Sequence, residues 1–444
     1  MLLTTARGLI AHALPILIAQ LSSIGMMLVD TAVLGHVSSA DLAAVAIGGG
    51  IHVSLVFALV GIVQAVAPMV AHLHGAGEHR RVAGVLQQGL WLALALSLPG
   101  MLLLAFPGVL LDAAGMEPTV DAKVKQYLRI LALGLPPALA YRTFYAYCNA
   151  LGRPRVLMLI GLAALALHAL LAWGLGYAGW SGEPLGVAGC AWSNVIIAWT
   201  ACLVAVLHLQ RGPRHARPLS GWQRPHGPTW RELLRLGLPM GVSNFVEITS
   251  FTLIALLIAS LGATVVAGHR IVANLSALAY MLPLSLGIAV MAAVGQSLGA
   301  RDGARVRLQV RAGLWLAAAS SLLTGGGLWL AAGPLTAGYT DDPAVRAMAL
   351  ALVPYVAAYQ FFDALQTIAG HVLRACRVTF VPMLLQTACF WGIGLGAGYW
   401  LCHRAEAPLG AAGFWLAAVI SLGVASAVLL PLMDRVLREL APDS

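Results

Sequence analysis

The chain contains the same segment twice. Residues 75–92, GAGEHRRVAGVLQQGLWL, return at residues 299–316 as GARDGARVRLQVRAGLWL, a shift of 224 positions. The same shift relates Pro15 to Pro239. Because the register persists over most of the chain, we predict two related halves. Such an arrangement is typical of membrane transporters, which place the substrate path between their repeats.

The composition predicts an integral membrane protein. Apolar residues make up 60% of the 444 residues and charged residues 10%, with a mean hydropathy of +0.86. A soluble domain carries about a quarter charged residues, so this chain cannot coat a soluble surface. The apolar runs are about 20 to 30 residues long, which suits helices that cross a hydrocarbon core of about 30 Å and is too long for barrel strands.

Twelve apolar runs are predicted to cross the bilayer, six in each half. Since six is even, both halves enter from the same side, and the repeats are parallel about an axis normal to the membrane. We therefore predict an all-α fold with a six-helix bundle at 1–210, a Pro- and Arg-rich cytoplasmic linker at 211–230, and a second bundle at 231–444. The runs lie at roughly 8–33, 42–72, 84–111, 121–150, 155–179, 186–210, 231–259, 264–298, 310–338, 343–373, 378–402 and 408–434.

The basic residues are distributed unevenly between the loops. Most arginines, among them Arg80, Arg81, Arg374 and Arg377, fall in alternate loops or near the termini. Arginine-rich loops face the cytoplasm, so both termini are predicted to be cytoplasmic. This bias accounts for the net charge of +9 and leaves no reason to expect nucleic-acid binding. The other loops hold Lys123, Lys125, Arg129, Arg346 and Arg404.

No enzymatic motif is present in the sequence. There is no P-loop, no His-Glu-x-x-His pair and no Asp-rich diphosphate motif, and the six cysteines show no paired spacing. The sequence therefore predicts neither an enzyme nor a cofactor. If the protein moves a solute, an ion gradient must drive it.

Three acidic residues lie within apolar helices: Asp30, Glu247 and Asp363. Each costs at least about 2.5 kcal/mol at the bilayer centre, so each needs a partner, a proton or a wet cavity. A carboxylate in that position can take up a proton or bind a hard cation, and either event would change its charge. We predict an ion or substrate site at these residues. The alternative is a structural pair that is buried for packing.

The neighbours of Glu247 and Asp363 make these two acids the stronger candidates. Glu247 follows Pro239 and Asn244, and a proline in a span frees carbonyls that can line a polar site. Asp363 follows Tyr359 by one helical turn. Two amides, Gln360 and Gln366, are also near it in sequence.

Several further polar residues in the spans are open to two interpretations. Arg142 and Arg270 are either counter-ions of the acids or residues that extend to the membrane surface. His168 and His269 are candidates for proton transfer, although a lone histidine in a membrane is more often neutral and hydrogen-bonded. Asp41 begins a helix, where a simple N-terminal charge is expected.

Four segments of the chain together form a recognisable pattern: VDTAVLG at 29–35, FVEIT at 245–249, AGHRIVANLSALAYMLPLSLGIA at 267–289 and YQFFDALQ at 359–366. They resemble the corresponding segments of the NorM-like branch of the multidrug and toxic compound extrusion transporters. The resemblance implies two six-helix bundles around a central cavity, in the inner (cytoplasmic) membrane of a bacterium. It also implies export of organic, often cationic, drugs and compounds, driven by inward Na+ or H+. Nothing in this fold requires more than one chain, so a monomer is expected.

By motif position, the resemblance makes Asp30 the carboxylate of the first lobe. It places a cation site, with Na+ as one candidate occupant, at Glu247, Asp363 and Tyr359 of the second lobe. Asn274, in the third of these segments, is a secondary candidate.

The chain departs from the family pattern at three positions. The fourth span, YRTFYAYCNALGRP, lacks the usual acid, which argues against Na+ in the first lobe. His168 replaces a common asparagine; as a hydrogen-bond partner of Asp30 that can take up a proton, it would favour proton chemistry in the first lobe. Arg270 replaces a common glutamine and would repel cationic cargo if it faced the cavity.

Two other functions belong to different classes. Flipping of lipid-linked precursors uses a similar pair of bundles, but the acids would repel an anionic diphosphate. A membrane-embedded transferase would need a metal–diphosphate acid cluster, which the sequence lacks.

Overall fold

The computed structural model describes residues 1–112, 116–180, 182–211, 218–219, 221–404 and 408–440. All regular secondary structure in these ranges is helical, as predicted. By length and composition, eleven helical segments can cross a bilayer. The α-helices are α1 (Leu2–Gly35), α2 (Ser39–Val63), α3 (Val66–Gly75), α4 (His79–Ala105), α5 (Gly108–Leu111), α6 (Pro118–Ala132), α7 (Leu135–Ala150), α8 (Pro154–Leu171), α9 (Val187–Leu209), α10 (Gly227–Ile258), α11 (Ala263–Gly299), α12 (Gly303–Leu330), α13 (Ala332–Ala337), α14 (Pro343–Ala375), α15 (Phe380–Thr387), α16 (Gly398–His403) and α17 (Ala411–Leu440).

The predicted fourth span, 121–150, is not one continuous helix. It consists of α6 and α7, which are separated at Leu133 and Gly134. Pro136 and Pro137 follow this break, and proline has no N–H to bond the carbonyl four residues earlier. This proline pair removes two successive bonds of the helical ladder, so the predicted span is divided into two helices.

The fifth span of each half contains a wider helical segment. Residues Ala172–Tyr177 and Ala388–Ala397 form π-helices, which continue α8 and α15. Such bulges are rare and cluster at functional sites. In the first half, the bulge begins four residues after His168.

The sequence repeat is also a repeat of packing contacts. A Cβ atom placed on Gly89 would lie 2.5 Å from Cγ2 of Val66, and one placed on Gly313 would lie 2.7 Å from Cγ2 of Val290. Residues 66 and 290 are related by the same shift of 224 positions as the two glycines. Each half therefore uses one glycine at the same place to let two helices approach closely.

The chain forms two compact units that do not follow its midpoint. One unit comprises Met1–Leu17, His74–Gly77 and Val242–Ser444, and the other comprises Ile18–Leu73 and Glu78–Gly241. Helices α1 and α10 therefore each contribute to both units. They change unit two residues after Pro15 and Pro239, at positions again related by the shift of 224. Below, the unit that contains residues 18–73 is called the first unit and the other the second unit.

Each unit has its own apolar core. In the first unit, the core contains Leu128, Leu135 and Leu139, from both parts of the broken fourth span. In the second unit, the core contains Val353 and Phe414, from α14 and α17. The cores hold the helices that carry the buried acids.

Two adjacent glutamines attach the linker to α4. The side-chain amide of Gln87 donates to the carbonyl of Pro218 and accepts from the backbone N–H of Gln223, both at 2.8 Å. The amide of Gln88 donates to the carbonyl of Arg224 at 2.9 Å. Part of the linker is thus bonded to a helix of the first unit through its backbone.

Asp41 is more than the helix-terminal charge that its position suggested. The residue is 2% exposed, and both carboxylate oxygens lie 2.8 Å from Nζ of Lys123. One oxygen also accepts from the backbone N–H of Val187 at 3.0 Å. The carboxylate therefore ties α2 to α6 and α9, while Ser38 caps α2 beside it. The earlier interpretation missed this pairing because Lys123 is distant in sequence.

The Asp41–Lys123 pair predicts unequal effects of two charge deletions. Lys123→Met leaves a buried carboxylate without its cation, so we expect the free energy of unfolding to fall by about 2 to 3 kcal/mol. The matched control is Arg81→Met, which breaks an exposed pair with Glu78 and should cost about 0.5 kcal/mol. Unfolding followed by circular dichroism in detergent measures both. Equal, small losses would show that Asp41 does not depend on Lys123.

Candidate functional site

The acid of the first unit, Asp30, is held by side chains from two other helices. It lies near the end of α1 and is 6% exposed. Its Oδ1 lies 3.0 Å from Nε2 of His168 on α8, and its Oδ2 accepts from the side-chain amide of Asn194 on α9 at 3.0 Å. Both carboxylate oxygens therefore have nitrogen partners.

Ser193 completes the cluster on the far side of the imidazole. Its Oγ lies 2.9 Å from Nδ1 of His168 and 3.3 Å from the backbone carbonyl of the same residue. When Asp30 is ionised and His168 neutral, Nε2–H donates to the carboxylate and the serine hydroxyl donates to Nδ1. When a proton is added at Nδ1, the imidazolium donates at both nitrogens and the hydroxyl can turn to the carbonyl. The cluster can thus accept one proton and keep every polar atom paired.

Sequence reasoning proposed the contact between His168 and Asp30 but missed Ser193 and Asn194. These two residues are adjacent polar side chains in the otherwise apolar first turns of α9. That interruption was a usable signal. The sequence does not, however, show the helix packing that brings residues 193 and 194 next to Asp30.

In the second unit, Asp363 ends a chain of amides. It lies in α14 and is 2% exposed, and its Oδ1 accepts from Nε2 of Gln366 at 3.1 Å. The Oε1 atom of Gln366 accepts in turn from Nε2 of Gln386 on α15, at 3.2 Å. Gln386 was not anticipated from the sequence. Because Gln386 donates to Oε1 of Gln366, the amide nitrogen of Gln366 is the end that faces Asp363.

Glu247, the second acid of this unit, interacts electrostatically with Asp363. Its carboxylate, on α10, is within hydrogen-bonding reach of the Tyr280 hydroxyl on α11 and interacts with the charges of Asp363 and Arg374. The Tyr280 hydroxyl also bonds the side chain of Thr367. Arg374, in the last turn of α14, had been interpreted only as a cytoplasmic loop charge. The structure instead places one arginine within electrostatic range of this acid.

Tyr359 is held by other aromatic rings. Its ring centroid lies 6.2 Å from that of Phe251 and 5.8 Å from that of Trp415, both in edge-on geometry. It interacts electrostatically with both acids of the unit. Its position is therefore set by packing, and its hydroxyl is near the acids.

Gln360 does not join Asp363, contrary to the grouping suggested by their sequence positions. Its Nε2 donates to the hydroxyl and to the backbone carbonyl of Ser276, at 2.9 and 3.1 Å. The two residues are three positions apart on α14, and only Gln366 of the two amides bonds the acid.

The remaining candidates lie apart from these contacts or have other partners. Asn274 and Arg270 are exposed, and Asn244 is half-buried. His269 accepts a hydrogen bond from Nε1 of Trp415 at 3.2 Å, which fits a neutral ring. Arg142 lies over the ring of Tyr145, 5.6 Å from its centroid.

The donor set of the second unit suits a proton or a hard cation. Its groups are two carboxylates, amides and hydroxyls, and oxygen is the ligand that hard cations prefer. No group of three or more His, Cys, Asp and Glu side chains in the described ranges is placed to hold a metal ion. A cation here would need oxygens from other residue types as well.

The contacts of His168 predict a charge-dependent loss of stability. His168→Phe removes a donor from a buried carboxylate and should cost about 3 kcal/mol, whereas His269→Phe removes a neutral hydrogen bond and should cost about 1 kcal/mol. Adding Asp30→Asn to His168→Phe should recover part of the loss, because no charge then remains unpaired. Thermal unfolding of the wild type, the two single variants and the double variant measures these differences. No recovery in the double variant would mean that Asp30 does not carry the charge.

A known protein family matches each half of the chain separately. A family model described as MatE matches residues 15–173 and again 239–400. The two matches begin 224 positions apart, the same shift as in the sequence repeat.

Similar proteins cover almost the whole chain. A "Probable multidrug resistance protein NorM" of Aromatoleum aromaticum is 49% identical, over 98% of this chain and 95% of its own length. The "Multidrug resistance protein PmpM" of Pseudomonas aeruginosa is 35% identical, over 98% and 92%. Among solved structures, the eukaryotic MATE transporter AtDTX14 aligns with a TM-score of 0.89 at 18% identity, over 99% of each chain, which indicates the same fold.

Proposed function

Because the chain belongs to the MATE family of transporters and to its NorM-like branch, we propose that it exports organic cations in exchange for inward Na+ or H+. The protein is a transporter and not an enzyme. We place it as a monomer in the cytoplasmic membrane of a bacterium, with both termini in the cytoplasm. The names of its relatives, multidrug resistance proteins, suggest drugs as cargo.

The electrostatic interaction between two acids in the second unit, the buried Asp363 and the half-buried Glu247, carries this proposal. Glu247 and Asp363 repel each other when both are ionised, and a proton, a Na+ ion or a cationic drug would each relieve that repulsion. These three ligands therefore compete for the same charge. Competition of this kind links ion entry to cargo release, because each ligand lowers the affinity for the other.

Arg374 limits how strongly these acids attract a cation. It interacts with Glu247 and with Tyr280, so part of the negative charge is already balanced inside the protein. A bound cation must compete with this arginine. We therefore expect moderate affinity, which suits a site that must load and unload in each cycle.

The first unit supports a proton more readily than Na+. Both oxygens of Asp30 already accept hydrogen bonds from the nitrogens of His168 and Asn194. A Na+ ion would require these donors to turn away, whereas a proton needs only a rotation of the Ser193 hydroxyl. We propose that this cluster takes up the coupling proton.

Efflux from energised cells tests the role of the second unit. In Glu247→Gln and Asp363→Asn, loss of the charge should lower the efflux of a fluorescent organic cation at least tenfold. Asp434→Asn, at an exposed end of α17, should leave efflux unchanged. If both site variants pump like the wild type, the two acids have no part in transport.

Proteoliposomes distinguish the two coupling ions. We expect a pH gradient alone to drive uptake of the fluorescent cation, and His168→Asn to reduce this uptake at least tenfold, because an amide donates to Asp30 but takes no proton. An imposed Na+ gradient should produce little flux. Na+-driven uptake that His168→Asn does not affect would contradict the proton assignment and leave the antiport proposal standing.

A further inference from the structure

The first unit carries an open apolar groove on its surface. The groove has a volume of about 550 Å³, within the range of ligand sites. It is lined by side chains from α4, α7 and α9 and from the break between α6 and α7, and several of its large apolar residues are exposed. Its lining includes Met101, Leu133, Pro136, Trp192, Ile196 and Trp199.

The break in the fourth span forms part of the groove, through Leu133 and Pro136. In a continuous helix the carbonyl of Leu133 would accept from residue 137, but Pro137 has no N–H. The indole Nε1 of Trp199 donates to this carbonyl at 3.2 Å. Trp199 thereby satisfies a backbone group that hydrocarbon could not, and its large ring forms one wall of the groove.

A positive charge lies one helical turn from the apolar lining. Arg129 precedes Leu133 by four residues on α6, is exposed, and donates through Nε to the carbonyl of Ala105 at 3.4 Å. Ala105 ends α4 and lies one turn beyond Met101. The arginine therefore lies beside the groove at the end of α4.

The length of α4 places this arginine at a membrane boundary. From Arg80 to Ala105 the helix rises about 38 Å, enough to cross the hydrocarbon core and enter both interfaces. Arg80 and Arg81 mark one boundary, so Arg129 and Ala105 lie at the other. This is the depth of lipid phosphate groups.

A second basic residue of α6, Lys125, already has acidic partners. Lys125, one turn before Arg129, pairs with Asp112 at 2.8 Å and with Asp121 at 2.9 Å. Its positive charge is thus matched within the protein. Of these two basic residues of α6, Arg129 is the one that can receive an anion at the groove.

We propose that the groove binds one anionic glycerophospholipid, with an acyl chain against the two tryptophans and the phosphate on Arg129. The apolar lining suits an acyl chain, and the arginine at interfacial depth suits a charged headgroup. An arginine near a membrane surface contributes about 1 kcal/mol to binding an anionic lipid, which corresponds to about a fivefold difference in affinity.

Native mass spectrometry of the detergent-purified protein tests this assignment. The probes are palmitoyl-oleoyl phosphatidylglycerol and the phosphatidylcholine with the same acyl chains. We expect the wild type to retain one phosphatidylglycerol with about fivefold higher affinity than phosphatidylcholine. Arg129→Gln should remove this preference and leave phosphatidylcholine binding unchanged, while the control Arg404→Gln, at another exposed arginine, should keep it.

A second variant tests the acyl-chain part of the groove. Thr200→Trp, which places a large ring in the groove, should weaken binding of both lipids at least fivefold at an unchanged melting temperature. Equal affinity of the wild type for both lipids would overturn the proposal. So would an unchanged preference in Arg129→Gln, or a dimer mass without lipid, which would assign the groove to a second copy of the chain.

Discussion

A polar group at lipid depth must find its partner within the protein, because hydrocarbon supplies none. This constraint explains two sets of contacts in the first unit. The broken helix at Leu133 exposes a carbonyl, and Trp199 bonds it. The carboxylate of Asp30 is buried, and His168 and Asn194 contact its two oxygens from two other helices. In each case the partner is a side chain of another helix that packs beside the buried polar group.

The two units provide different partners for their buried carboxylates, although their sequences share one repeated pattern. In the first unit, nitrogen donors occupy both oxygens of Asp30. In the second unit, Glu247 and Asp363 share a region with Arg374, and an amide chain orients the donor to Asp363. We propose that the first arrangement exchanges a proton and that the second exchanges a cation, whether proton, Na+ or drug. A duplicated fold can thus hold two sites of different chemistry.

The sequence was sufficient for the helical class, the repeat and the buried acids. These follow from composition, from register and from the cost of charge in lipid, all of which are local properties. The break at Leu133 was also readable from Pro136 and Pro137, although the length of the apolar run concealed it. Partners across helices were harder to predict, because contacts such as Lys123 with Asp41 depend on packing between distant segments.

Helix α1 changes unit after Leu17, and this has a consequence for biogenesis. Residues 2–17 of α1 belong with Val242–Ser444, so they pack with segments that are synthesised more than two hundred residues later. This part of the helix must remain without most of its final neighbours until those segments have been made. The two parts of α1 therefore reach their final contacts at different stages of synthesis.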